Sequence, residues 1–120
     1  MRYLCLLLLG LLIIISKGRS QTCNQLPVAF SSYNQAIKSI KESSFKITDR
    51  LPYGKSSWIQ KANYYSCDGM YGYLVYATDK GKEFIHSRVP LSIWREFKSS
   101  PSSGSYYVKN IKGRYKFVPG

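Results

Sequence analysis

The sequence predicts a small α+β fold: an antiparallel three-stranded meander followed by two short helices, with an added N-terminal amphipathic helix. Three patterns in the chain predict it. Apolar residues recur at spacings of three and four in the segment behind an apolar leader. Runs rich in aromatic and β-branched residues then follow one another with short turns between them. Finally, a proline opens an apolar stripe of helical period, and a second stripe closes the chain.

The leader, MRYLCLLLLGLLIII, has a charged start at Arg2 and then an apolar run of about thirteen residues, the length of a signal-peptide core and short for a membrane span. Gly18 and Ser20 occupy the minus-three and minus-one places if cleavage falls before Gln21. Residues 1–20 therefore read as a signal peptide, and the expected location is periplasmic or extracellular. An uncleaved anchor stays open, because Lys17 and Arg19 sit close to the cut. After cleavage no membrane span is expected, and 100 residues remain, enough for one modest core and a monomer.

The full chain carries +12; without the leader, 15 basic residues face 6 acidic ones, a balance of +9. Such a charge disfavours cationic partners and speeds encounter with polyanions. Of the three cysteines Cys5 leaves with the leader, so Cys23 and Cys67 form an even pair in an oxidising compartment, and a disulfide is expected. A metal or redox site would want a C-x-x-C or a histidine cluster, and the chain has neither; no metal and no cofactor are expected.

In residues 27–43, Phe30, Tyr33, Ile37 and Ile40 form one apolar stripe, with Lys38, Lys41 and Glu42 opposite. The spacing predicts a helix packed on the domain. Phe45-Lys46-Ile47 reads as a short extended piece, and residues 49–57, with Pro52 and Gly54, as a turn or linker. Strands are predicted at 57–65, 71–78 and 83–89. Gly81 supplies the positive φ of a three-residue hairpin between the last two. Pro90 then starts a helix whose Ile93, Trp94 and Phe97 face the sheet, residues 99–104 form a loop, and Tyr107, Val108 and Ile111 predict a last short helix ending near Gly113. Lys109 and Lys112 lie on its outer side.

The run from Ser56-Ser57 through GYLVYATDKGKEFIHSRVPLSIWREF to SSGSYYVKNIKGRYKF resembles the KTSC domain, a small module named for its place at the C-terminus of some lysyl-tRNA synthetases. The resemblance rests on ordered pieces: the Ser-Ser start, the hydrophobic hairpin, Val89-Pro90 with Trp94, then Ser103-Gly104, Tyr106-Tyr107, Ile111-Lys112 and Tyr115. It divides the chain into the signal peptide at 1–20, an N-terminal helix and linker at 21–55, and a KTSC-like domain at 56–117. Two positions depart from the family pattern. Val108 stands where an Asn is usual after the aromatic pair, and His86 stands where the family tends to an aromatic ring, so His86 reads as a ring filling space. The resemblance implies a small α+β module without established catalytic activity. Its association with tRNA machinery hints at nucleic-acid contact.

A nuclease or esterase would need a nucleophile or metal and a placed base. One histidine and six scattered acids do not compose that set, so a small hydrolase is the weakest of the functional readings. The strongest is an exported non-catalytic binding module whose ligand is an anionic polymer, nucleic acid or acidic polysaccharide, or a protein partner. The alternative is a structural or interaction protein whose charge serves solubility alone. The candidate ligand-binding residues are Ser103 and Gly104, as an anion nest or simply a helix-start turn, the ring of Tyr106, and the cations Lys109, Lys112 and Arg114.

Overall fold

The computed structural model describes residues 21–27 and 29–117; the predicted signal peptide, residues 1–20, lies outside the described residues. The sheet has four strands, one more than the sequence predicts. β1 (Ile47–Arg50), β2 (Ile59–Ser66), β3 (Tyr71–Thr78) and β4 (Glu83–Pro90) pair antiparallel in chain order. β1 is the added strand, formed where the sequence suggests an extended piece running into a turn. Its Ile47-Thr48-Asp49-Arg50 holds a single apolar residue and cannot show a buried alternation. It pairs along β2 through its backbone, from Ile47 opposite Ser66 to Arg50 opposite Asn63. Its Asp49 carboxylate accepts from Trp94 Nε1 at 2.8 Å and pairs with Lys98 Nζ at 2.9 Å. Burial alone would raise the Asp49 pKa, but those two donors hold it below the ordinary carboxylate range.

Helices cover both faces of the sheet. α1 (Tyr33–Glu42) lies on one face, where Ala36, Ile37 and Ile40 meet Phe30, Tyr65, Val75 and Ile85. α2 (Leu91–Ser99) and α3 (Ser103–Asn110) lie on the other, where Trp94, Phe97, Tyr107 and Ile111 meet Ala62, Tyr64, Leu74, Tyr76 and Val89. Successive strand residues point to opposite faces, so a central strand covered on both sides is apolar at every position. That is why Leu74, Val75, Tyr76 and Ala77 are all buried.

The helix boundaries differ from the predicted ones in ways that the caps explain. α1 begins at Tyr33, later than the apolar spacing suggests, because Ser32 caps it by accepting from the Gln35 amide at 3.1 Å. α3 begins at Ser103, inside the predicted loop, because Ser102 does the same for Ser105 at 3.3 Å. Pro90 takes the N-cap position of α2 as the sequence suggests, and Gly81 adopts φ 83° in the β3–β4 turn.

Two further features tie the layers together. Cys23, in a short 3-10 turn (Cys23–Gln25), is disulfide-bonded to Cys67, just past the end of β2. At the β4 edge of the sheet, residues 115–117 lie beside that strand: His86 Nδ1 meets the Tyr115 carbonyl at 2.7 Å, and the Ser87 hydroxyl donates to the Lys116 carbonyl at 2.9 Å. Phe117 then packs edge-on to Tyr33, with ring centroids 5.4 Å apart. Side chains of the edge strand thus hold the tail against the sheet. Among the described residues no helix is long and apolar enough to cross a membrane.

Candidate functional site

The helix start that the sequence offers as an anion nest is filled by the protein itself. The Ser103 amide donates to the Lys55 carbonyl at 3.1 Å, and its buried hydroxyl donates to the Phe97 carbonyl at 2.8 Å. Gly104 is buried against the Ser56-Ser57-Trp58 segment, where a Cβ would come within 2.8 Å of Ser56 Oγ and 2.6 Å of Trp58 Nε1. Ser56 Oγ also accepts from the amides of Trp58 and Ile59, at 3.2 and 3.0 Å. Ser56, Ser103 and Gly104 thus join the start of β2 to the start of α3, and the amides of Ser103 and Ser105 have partners within the chain.

The other candidates separate onto two flanks of α3. Tyr106 leans toward α2, its ring 6.4 Å from that of Phe97 and its hydroxyl donating to Glu96 Oε1 at 2.6 Å. Burial, and then the neighbouring Glu96 carboxylate, push the Tyr106 phenol pKa up. With that acid beside it, Tyr106 is poorly placed to stack on an anionic ligand. Lys109 and Lys112 are exposed and line the clefts beside Trp58, and Arg114 is exposed in the turn after α3.

The central residue of that second flank is one that the sequence pattern does not mark. Trp58 is half-buried and lines two adjoining clefts: one with Gly104, Ser105, Val108 and Lys109, the other with Tyr76, Phe84, Tyr107, Val108 and Lys112. Its indole stands edge-on to Tyr107 at 5.6 Å and to Tyr76 at 6.2 Å, so the ring is fixed from beneath. Val108 is 53% exposed and forms the ridge between the clefts. Lys82 lies over the Phe84 ring at 5.5 Å. The result is an aromatic floor with Lys82, Lys109 and Lys112 around it. The carboxylate-bearing Asp79 borders a separate cleft that Trp58 also lines. Trp58 lies in a predicted strand as one aromatic residue among many, and only the turn before β2 brings it onto α3.

Beneath this floor runs an ordered chain of hydrogen bonds. The Tyr115 carbonyl can only accept, so His86 Nδ1 carries the proton and Nε2 offers a lone pair. The Tyr107 hydroxyl then donates to Nε2 at 2.8 Å, and the Tyr76 hydroxyl donates to Tyr107 at 2.8 Å. The His86 ring also stacks on Tyr76, centroids 5.9 Å apart. Burial lowers the His86 pKa below its ordinary 6.5, outweighing the opposing bond to Tyr115. A second proton on Nε2 would turn an acceptor into a donor and leave the tyrosine chain one acceptor short.

A pH dependence follows. A histidine with a lowered folded pKa binds fewer protons folded than unfolded between that pKa and 6.5. Its contribution is therefore complete above 6.5 and is lost as pH falls below it. Urea unfolding should show lower stability at pH 5.5 than at 7.5, and His86→Phe should flatten that difference, since His86 is the only histidine in the chain. Equal stability of the parent at the two pH values would contradict the neutral tautomer.

Among the described residues no group of three or more His, Cys, Asp or Glu side chains is placed to hold a metal ion. Residues 75–115 match the family model of the KTSC domain. The matched stretch runs from the middle of β3 through β4, α2 and α3 to Tyr115, and so contains Val89, Pro90, Trp94, Ser103, Gly104, Tyr106 and Tyr107. It supports the resemblance drawn from the order of these residues. No curated protein and no solved structure gives a significant match to the chain.

Proposed function

We propose that this KTSC module works as an exported, non-catalytic binding protein for an anionic polymer, through the surface where Trp58 meets α3. One observation carries the reading: the half-buried Trp58 indole shares its clefts with Lys109 and Lys112. Anionic polymers with flat units, single-stranded nucleic acid or acidic polysaccharide, are bound by this combination of ring contact and salt-sensitive attraction. The disulfide and the apolar leader support an exported setting. A non-catalytic role is supported by the sole histidine, whose two ring nitrogens are taken up by Tyr115 and Tyr107 and offer no base at a surface cleft.

Replacing Lys109, Lys112 and Arg114 together with Gln tests this. Binding to single-stranded DNA and to heparin at about 150 mM salt should weaken. The slope of log affinity against log salt for DNA should fall by about 0.7 for each phosphate that the variant no longer neutralises. The melting temperature should stay nearly unchanged, because these cations are solvated. Equal binding by parent and triple variant would remove the surface from consideration. Absence of any binding by the parent would favour the alternative, a structural protein whose charge serves solubility.

A further inference from the structure

The other face of the sheet carries a further cleft, of about 240 Å³, beside the disulfide. Phe45, Tyr65 and Tyr73 form its apolar side, with the Phe45 ring 5.4 Å from that of Tyr65 and 6.4 Å edge-on from that of Tyr73. Ser87, Arg88 and Asp68 supply its polar rim, and Cys23, bonded to Cys67, closes one wall.

Arg88 is the residue that asks for an explanation. Its φ is 56°, the only positive value at a non-glycine among the described residues. It sits where the β3–β4 register slips between Gly72 and Leu74, a β-bulge in which an extra residue re-aims a side chain. Glycine would hold this backbone without strain, and the chain places an arginine there. The guanidinium lies over the Tyr71 ring at 5.4 Å, at the edge of the cleft and exposed, with fork donors suited to a carboxylate.

We infer that this cleft is a binding site for a small organic anion with a flat ring, an aromatic monocarboxylate. Its carboxylate pairs with Arg88 while its ring lies against Phe45 and Tyr73. Asp68 sets the selectivity. Its Oδ1 is taken up by the amides of Met70 and Tyr71, at 2.8 and 2.9 Å, and those backbone bonds hold its pKa low, so it stays ionised. A fixed negative charge on the same rim as Arg88 admits one anionic group and repels a polymer of them. The site is therefore separate from the Trp58 surface in both position and ligand class.

An NMR titration of the oxidised protein with 4-hydroxybenzoate and with its neutral analogue 4-hydroxybenzamide tests the inference. The carboxylate should shift the amides of Tyr65, Tyr73, Ser87 and Arg88 and bind about tenfold more tightly than the amide, the margin of a charge-assisted bond. Arg88→Gly should abolish that preference without lowering the melting temperature, while Arg88→Lys should keep part of it. The inference is overturned if the two compounds bind equally, if neither shifts these residues, or if Arg88→Gly keeps the preference. A lowered melting temperature in Arg88→Gly would also overturn it, because Arg88 would then be a structural prop for Tyr71.

Discussion

Trp94→Ala should lower the unfolding free energy by about 3 to 5 kcal/mol, the range for truncating a buried large aromatic. Trp94 is 1% exposed, and its ring stacks on Tyr64 with centroids 5.4 Å apart and planes 13° from parallel. Phe97 lies against it at 5.5 Å. The same indole donates to Asp49, so truncation also removes a side-chain anchor of β1 from α2. Urea unfolding at neutral pH measures the loss. A value below about 1 kcal/mol would mean that this face of the sheet repacks freely around the cavity.

The double replacement Cys23→Ser with Cys67→Ser should cost about 4 kcal/mol, the loop-entropy estimate for a closed loop of about 45 residues. The bonded residues are 44 apart in sequence and enclose α1, β1 and β2. The bond also anchors the chain ahead of α1, where the Cys23 amide donates to the Ser44 carbonyl at 2.9 Å. Non-reducing mass spectrometry of the exported protein should find the two cysteines joined. Two free, alkylatable thiols would contradict both the bond and the exported setting proposed from it.

How far the sequence could be read depended on whether a residue's role lies in local pattern or in distant contact. α2 was legible because Pro90 and the spacing of Trp94 and Phe97 are local facts, and the β3–β4 hairpin because Gly81 marks its turn. β1 was not, because a polar edge strand is specified by its partner β2 and by Asp49 reaching Trp94, 45 residues away. The candidate site divides in the same way. The outward placement of Lys109 and Lys112 follows from helical period alone. The contact of Trp58 with Val108, and the diversion of Tyr106 to Glu96, depend on how α3 docks against β2 and α2. Periodicity along one segment carries no information about either.

Tryptophan fluorescence distinguishes whether the surface around Trp58 and α3 takes an anionic polymer. The chain has two tryptophans, and Trp94 is enclosed in the core, so a ligand reaching the proposed surface perturbs Trp58. Titration with oligothymidylate and, separately, with heparin should show a saturable change in emission for at least one of them. That change should weaken as salt rises and vanish in Trp58→Phe. Emission that stays constant through an excess of both polymers at low salt, with the protein still folded, would mean that this surface binds neither.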